Sequence, residues 1–323
     1  MPLQRIITDF GSDAAFGKIP QKLEEHYGIS VPVSSAQKIT EQHAQAMLDA
    51  HQENFNPEIP AKAGVDQLIS ELDGSYIPIV TTELPLTTEP SSEADESIDR
   101  RKTRKVFWKE ARIAMSRTPE QSLPIFACTL GSANASGEEL LHSAILAGLG
   151  EKTLVHGVGD GAPWINDQFE LQFGEQGSYL IDFFHLCDYL AAASHTCAPH
   201  ATNSWLETQK LRLKRNHLNA LLNELECHLE PISLKDDDAP VRAAWRYIKN
   251  RPGQFDYKGA IAADLPIGSG EIESAHRYVI QERLKLPGCW WTVENAWAML
   301  QLRVVRINGD WNDYWVNLNR RAA

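Results

Sequence analysis

The sequence lacks a long apolar run, since no segment reaches the roughly 18 consecutive apolar residues that a membrane-spanning helix needs. Its first ten residues, MPLQRIITDF, have none of the features of a secretory signal peptide. Its five cysteines include no pair spaced Cys-x-x-Cys, which is typical of a chain kept in a reducing compartment. We therefore expect a cytoplasmic protein with no membrane partner.

Positive charge is also scarce, because 31 Lys and Arg residues face 43 Asp and Glu residues and the formal net charge is −12. This balance argues against a protein that simply coats DNA, since contacts to phosphate need cations. It does not exclude an enzyme acting on DNA, because local patches matter more than the sum. With 323 residues, 43% of them hydrophobic, the chain can bury a sizeable core, as two domains or as one domain with a large insertion.

Residues 13 to 50 are predicted to be helical. Residues 13 to 28 show one apolar face and end at Gly28, and a second helix follows a short turn, with Ser34 or Ser35 as its N-cap. This is the outline of a helix-turn-helix segment, although most such pairs are simply packed helices. Residues 51 to 64 are predicted to be a linker.

The middle of the chain predicts a sheet. Its pattern gives strand, strand, strand, helix, strand, helix, strand between residues 65 and 185, and residues 186 to 250 then turn helical. The second strand lies in a run of eight cations with one acid, Glu110, which includes Arg101, Lys102, Arg104 and Lys105. The run either meets a DNA backbone or is a solvated edge strand, where Lys prevents unwanted pairing.

The stretch IGSGEIESAHRYVIQERLK, residues 267 to 285, predicts a glycine-rich loop that runs into a helix. Four polar residues recur every fourth position on this helix and form a stripe, namely Glu273, Arg277, Gln281 and Lys285. A carboxylate beside cations suits an enzyme that acts on nucleic acid. The structural alternative is a favourable helix start with an ordinary Glu273–Arg277 pair.

Three acids occupy positions that strand order brings toward one edge of a sheet: Asp73 on the first strand, Asp160 just after the fourth, and Glu273 at the head of a late helix. Close carboxylates need a neutralising cation, and oxygen-only ligands favour Mg²⁺. Each acid alone has a structural explanation, because Asp73-Gly74 is a hairpin signal and Gly159-Asp160-Gly161 reads as a loop. Asp182 and His185 would by themselves cap the next helix.

Six segments resemble bacterial insertion-sequence DDE transposases of the ISKra type, which have an RNase H-like catalytic domain. They run in the family's order over about residues 60 to 315. The most specific pattern is GDGAPWI, then D-x-x-H-x-x-x-x-L about 22 residues later, then GSGxxES. The six segments are LDGSYIPIV, KVFWKEARIAMSR, VHGVGDGAPWI, LIDFFHLCDYL, PIGSGEIESAHRYVIQERLK and LRVVRINGDWNDYW.

The resemblance implies that Asp73, Asp160 and Glu273 are catalytic acids holding two Mg²⁺ ions, which Mn²⁺ can replace, and that Asp182 and His185 are an auxiliary pair. Glu273 is favoured over Glu271 because the family places the acid third after GSG. It implies an α/β fold with an RNase H-like mixed sheet and flanking helices. The expected parts are a helix-turn-helix-like segment with linker (1–60), the first part of the core (61–189), an all-helical insertion (190–262) and the last core helices (263–323).

The implied activity is metal-dependent cleavage of transposon ends and transfer of the 3′-OH into target DNA. We expect a homodimer, because two ends must be joined together, with Arg277 and Lys285 among the contacts to DNA. Family members usually carry a substantial region ahead of the helix-turn-helix-like segment, which here follows Met1 closely. The rival expectation is therefore a truncated, inactive remnant that binds DNA or damps a full-length relative. A second rival is an RNase H-like nuclease with no part in transposition.

Overall fold

The structure, a computed structural model, describes residues 2–82 and 104–322. The predicted DNA contacts Arg101 and Lys102 lie outside these residues. No helix within the described ranges is long and apolar enough to cross a membrane.

The fold is mixed α/β, with a five-stranded mixed sheet flanked by helices. The strand order is β3-β2-β1-β4-β5, where β1 pairs antiparallel with β2 and parallel with β4. The predicted succession of strands and helices is confirmed, and the arrangement is compatible with an RNase H-like fold. The strands are β1 (Gln67–Thr82), β2 (Arg104–Arg117), β3 (Ile125–Thr129), β4 (Leu154–Gly159) and β5 (Gly177–Ile181).

Fourteen α-helical segments are present in the described residues. Helices α11 and α12 are joined by a π-helical turn, His276–Gln281, so residues 270–284 form one continuous helix. The segments are α1 (Pro2–Asp13), α2 (Ile19–Tyr27), α3 (Val33–Asn54), α4 (Ala133–Leu146), α5 (Pro163–Phe173), α6 (Phe183–Cys197), α7 (Thr202–Lys214), α8 (Leu218–Glu226), α9 (Pro240–Lys249), α10 (Tyr257–Ala262), α11 (Gly270–Ala275), α12 (Glu282–Leu284), α13 (Val293–Ile307) and α14 (Trp311–Ala322).

Each face of the sheet packs on its own group of helices. One face buries Ile69, Ile77 and Ile79 against α3, α13 and the helix over residues 270–284. The other face buries Leu68 and Leu72 against α4 and α5. The alternation follows from the two-residue period of a strand, which sends odd and even positions of β1 to opposite sides. Residues 190–262 are helical wherever they are regular, and they form a separate apolar cluster with β5 and α6.

The N-terminal helices differ from the prediction in detail. Gly28 ends α2 in the left-handed conformation, with φ of +64°, as its sequence position predicts. The next helix begins earlier than expected, because Pro32 and not Ser34 or Ser35 is its N-cap residue. It also extends to Asn54, four residues into the predicted linker. Helix α3 buries Met47 and Leu48 in the core, and its predicted role in DNA binding stays a prediction.

Candidate active site

Asp73 lies inside a strand, and the hairpin explanation for Asp73-Gly74 is therefore wrong. β1 runs unbroken through both residues and pairs with β2 along fourteen positions, which outweighs the local turn preference. The Asp73 Oδ1 atom accepts a hydrogen bond from the Gly74 amide at 2.7 Å. Its Oδ2 atom lies 2.9 Å from Nε2 of His276, an ion-pair distance without the angles of a hydrogen bond. His276 is almost fully buried at the start of the π turn.

Asp160 directly follows β4, in a loop that Tyr247 on α9 and Arg251 hold in place. Its Oδ1 atom accepts a hydrogen bond from the Ala162 amide at 2.8 Å, and its carbonyl oxygen accepts one from the Tyr247 hydroxyl at 2.6 Å. Arg251 Nε donates to the Gly161 carbonyl at 2.7 Å. Gly161 has φ of +78°, a conformation that favours glycine, so the GDG sequence fits this turn. The orientation of Asp160 thus depends on α9 and the residues after it.

Glu273 lies in the first turn of α11 and is exposed. Partial burial raises the pKa of its carboxyl, and the negative charges of Asp182 and Asp73 raise it further. His185 and His276 act in the opposite direction. The fold therefore brings Glu273 into the electrostatic neighbourhood of four predicted or newly found site residues. Residues 200 positions apart in sequence, Asp73 and Glu273, share one acidic region.

Glu271, the alternative acid in the same turn, has a different environment. Its Oε2 atom accepts a hydrogen bond from Arg117 Nε at 2.8 Å. Two residues along a helix point to different sides, so only one of the two glutamates reaches the region of Asp73. Glu271 is thus paired with Arg117, and the choice of Glu273 as the acid stays a prediction.

Asp182 is 2% exposed and connects two helix starts. Its Oδ1 atom accepts hydrogen bonds from the amides of Phe184 and His185, at 2.6 and 2.9 Å, and so caps α6. Its Oδ2 atom accepts two hydrogen bonds from Ser269, one from the amide and one from the hydroxyl, each 2.6 Å long. The capping alternative is confirmed for Asp182. His185 follows the cap on α6, and its ring contacts Tyr189 and Tyr247.

Glu71 is a site residue that the sequence argument missed. It is 1% exposed, and its Oε2 atom accepts a hydrogen bond from the Ile272 amide at 2.9 Å, at the start of α11. Burial is the main cause that raises the pKa of its carboxyl to about 8. A usable signal was present, because Glu71 precedes Asp73 by two residues in a strand and must share its face. His276, which pairs with Asp73, was also missed, although it follows Glu273 by three positions on the same helix.

The basic residues predicted to contact DNA lie at the start of β2 and on, or just after, the helix over residues 270–284. Arg104 and Lys105 are exposed at the start of β2. Lys285 Nζ donates to Ser75 Oγ at 3.1 Å, two residues beyond Asp73 on β1. Arg277 lies 3.8 Å from Glu282 rather than pairing with Glu273. The prediction of one regular polar stripe through Glu273, Arg277, Gln281 and Lys285 is therefore wrong in detail. The π turn changes the angular spacing of residues along this helix.

The arrangement of the acids bears on whether they could hold a metal ion. In the described ranges, no three His, Cys, Asp or Glu side chains lie together in a way that could hold a metal ion. Asp73 and Glu273 nevertheless supply oxygen-only donors of the kind Mg²⁺ prefers. Besides burial, the negative charges of Asp182 and Asp73 raise the pKa of Glu273, and a bound cation would relieve that repulsion. The donor chemistry fits Mg²⁺, although the three acids do not form one metal-holding group within the described ranges.

Comparison with known proteins places the chain in a family. No curated protein matches it. A family model described as an uncharacterised protein family, UPF0236, matches residues 150–318, which is more than half of the chain. The matched part begins just before β4 and contains Asp160, Asp182 and Glu273. The chain therefore belongs to the uncharacterised protein family UPF0236.

Proposed function

We propose that this protein is a DDE transposase of the ISKra type with an RNase H-like catalytic core. The observation that carries the proposal is the shared acidic region of Asp73, on the central strand, and Glu273, on the helix packed against that strand. Asp160, at the end of the neighbouring parallel strand, is the third acid. The substrate would be the DNA ends of the element and then target DNA.

Asp73, Asp160 and Glu273 would hold the metal, for which we propose two Mg²⁺ ions that Mn²⁺ can replace. When bound, the ions would supply a lowered pKa for water or a 3′-hydroxyl and stabilise the charge on the leaving oxygen. Because the three acids do not form one metal-holding group in the described residues, they would have to come closer together to hold the same ions.

Three further residues would organise these acids. Asp182 and Glu71 accept the amide hydrogens at the start of α11, which fixes the helix turn that carries Glu273. His276 lies against Asp73 and keeps that carboxylate from turning away. We propose His185, close enough to affect the pKa of Glu273, as a donor to a phosphate oxygen of the DNA.

The DNA backbone would meet four cations. Arg104 and Lys105 lie at the start of β2, Lys285 donates a hydrogen bond to Ser75 on β1, and Arg277 is exposed on the helix over residues 270–284. Phosphate contacts of this kind position DNA without reading its sequence. A homodimer would form on DNA, because two ends must be cut and joined together.

The test is cleavage and joining of a DNA that carries the gene's own flanking ends. Wild type should cut and join only with Mg²⁺ or Mn²⁺, whereas Asp160→Asn and Glu273→Gln should lose at least about 100-fold in rate, because oxygen ligands are removed. Glu271→Gln is the matched control, since it alters the neighbouring carboxylate and should keep most of the activity. Activity of Asp160→Asn at the wild-type level would contradict the proposal.

One observation favours a non-catalytic alternative, a remnant that binds DNA without cutting it. In the part of the chain that the structure describes, the three acids do not form one metal-holding group. The same assay separates the two functions. A wild-type protein that binds the flanking ends in gel-shift experiments but releases no 3′-OH with either metal would establish the alternative.

A further inference from the structure

The paired strands β1 and β2 extend well beyond the rest of the sheet. In the described residues, β4 pairs only with residues 67–71 of β1 and β3 only with residues 112–116 of β2. Residues 76–82 of β1 and 104–110 of β2 continue as a two-stranded ribbon. At about 3.3 Å per residue this ribbon projects by about 20 Å. We call these two segments the distal ribbon.

The two faces of the distal ribbon differ. On one face, Ile77 and Ile79 are fully buried against the core. On the other face, Tyr76 is 57% exposed and Trp108 is 61% exposed. Residues paired across antiparallel strands share a face, so Pro78 and Val106 extend this aromatic surface. An exposed apolar surface of this kind marks a binding site.

The charge of the distal ribbon selects the kind of partner. Residues 76–82 carry no charged side chain, and the face of Tyr76 and Trp108 carries Arg104 and one acid, Glu110, because Lys105 and Lys109 occupy the alternate positions of β2. The chain as a whole has a net charge of −12. Glu110 is paired with Arg112, so Arg104 gives the aromatic face a net positive charge that, together with the exposed rings, complements a polyanion that also has flat apolar rings. Nucleic acid is that partner.

The same face continues toward the loop of Asp160, whereas Asp73 lies on the opposite face of β1. Arg112 pairs with Gly74 and therefore lies on the face of Tyr76, one step closer to the centre of the sheet. Its guanidinium lies 5.0 Å from the centre of the Trp164 ring. Trp164 is on α5, four residues after Asp160. A strand lying along the aromatic face would thus lead to the loop that holds Asp160.

We infer that this aromatic face of the distal ribbon binds an unpaired strand of DNA, with bases stacked on Tyr76 and Trp108 and a phosphate near Arg104. Bases within a duplex have their ring faces covered by neighbouring base pairs, so an unpaired strand is the form that these rings recognise. The inference rests on the proposed function in taking DNA as the substrate. It adds where the strand runs and in which form it is bound.

The test is binding of a fluorescein-labelled 20-nucleotide oligothymidine by the full chain in EDTA, followed by fluorescence polarisation. Trp108→Ala and Tyr76→Ala should each weaken binding by about 5- to 100-fold, since each removes one stacking surface. Trp108→Phe keeps a ring and should restore most of the affinity. The matched control is Phe107→Ala, which removes an exposed ring from the opposite face of the same strand and should change affinity by less than about twofold.

Unchanged affinity in both alanine variants, with melting temperatures like that of wild type, would overturn the inference. If the alanine variants lose as much affinity for a 20-base-pair duplex as for the single-stranded oligothymidine, the inferred stacking of unpaired bases is wrong. If the variants instead change the sedimentation of the DNA-free protein, the face binds another copy of the chain and the inference is wrong. EDTA prevents cleavage, so this binding assay does not depend on catalysis. If binding depends on Trp108 but the protein cuts no DNA in the Mg²⁺ cleavage assay, only the transposase proposal is wrong.

Discussion

Asp182 and Ser269, 87 residues apart, are joined by two hydrogen bonds to one carboxylate oxygen, while the other oxygen caps α6. One buried carboxylate therefore fixes two helix starts at the same point. The loop before α11 is held there, and with it the turn that carries Glu273.

Removal of the Asp182 carboxylate should lower the free energy of unfolding substantially. Asp182→Ala leaves the amides at both helix starts without an acceptor, and we expect it to lower the free energy of unfolding by about 2–4 kcal/mol. The measurement is urea denaturation at pH 7. Asp188→Ala, on the exposed side of the same helix, should change stability by less than about 0.5 kcal/mol. Equal effects of the two substitutions would show that the double cap contributes little.

Glu71 should tolerate loss of charge but not loss of its oxygen. With a pKa of about 8, it is mostly protonated at pH 7, and Glu71→Gln retains an oxygen for the Ile272 amide. We expect Glu71→Gln to stay within about 1 kcal/mol of wild type and Glu71→Ala to lose about 2–4 kcal/mol. Hydrogen exchange at the Ile272 amide should speed up in Glu71→Ala alone. Faster exchange in both variants would contradict this account.

The side chain of Glu110, on the adjacent strand, should require glycine at position 74. A methyl group at Gly74 would lie 2.3 Å from Oε1 of Glu110, so Gly74→Ala should cost about 1–3 kcal/mol. In a Glu110→Ala background the same change should cost less than about 1 kcal/mol, because the obstructing atoms are gone. A double-mutant cycle by chemical denaturation measures the difference. Additive effects would mean that the obstruction is relieved in another way.

His142 should make the protein sensitive to mild acid. Its ring lies 5.2 Å from that of His51 and 5.1 Å from that of Phe55, and burial lowers its pKa from 6.5 to about 4. A lowered pKa contributes stability that is present above pH 6.5 and is lost as the pH falls toward 4, because the unfolded chain takes up the proton first. His142→Gln should therefore flatten the decline of melting temperature between pH 6.5 and 4. The exposed His200→Gln should leave that decline unchanged.

Tyr247→Phe should lower the cleavage rate much more than the stability, because it mainly affects the position of the Asp160 loop. It removes the hydroxyl that donates to the Asp160 carbonyl and leaves the stacked ring of Tyr189 in place. We expect a loss of about 0.5–1.5 kcal/mol in unfolding free energy, with a fall in the cleavage rate of about tenfold or more. Tyr189→Phe is the matched control on the other ring. Equal loss of activity in both variants would remove the special role of the Tyr247 hydroxyl.

The order of strands and helices was predictable because each element carries a clear period of two or of 3.6 residues. The positions of Asp160 and Glu273, after a strand and at a helix start, followed from the same patterns. The strand through Asp73-Gly74 was ambiguous by local chemistry, and only the fourteen-position pairing with β2 decides it.

Other site features were out of reach because they depend on which atoms meet across the fold. Nothing in the sequence near Glu71 announces that its carboxylate receives the amide of Ile272, 201 residues away. The link between Asp182 and Ser269 is of the same kind. The pairing of His276 with Asp73 also depends on the π turn, which the periodic pattern did not reveal.

The π turn has a geometric consequence for this helix. Ile272 and Leu284 belong to the same apolar cluster and are both fully buried, although they are twelve residues apart. At 3.6 residues per turn, twelve residues would set two side chains about 120° apart around the axis. The wider π turn between them rotates by fewer degrees per residue and so removes most of that angular difference. One helix can thereby aim its first turn at the acids and still anchor its last turn in the core.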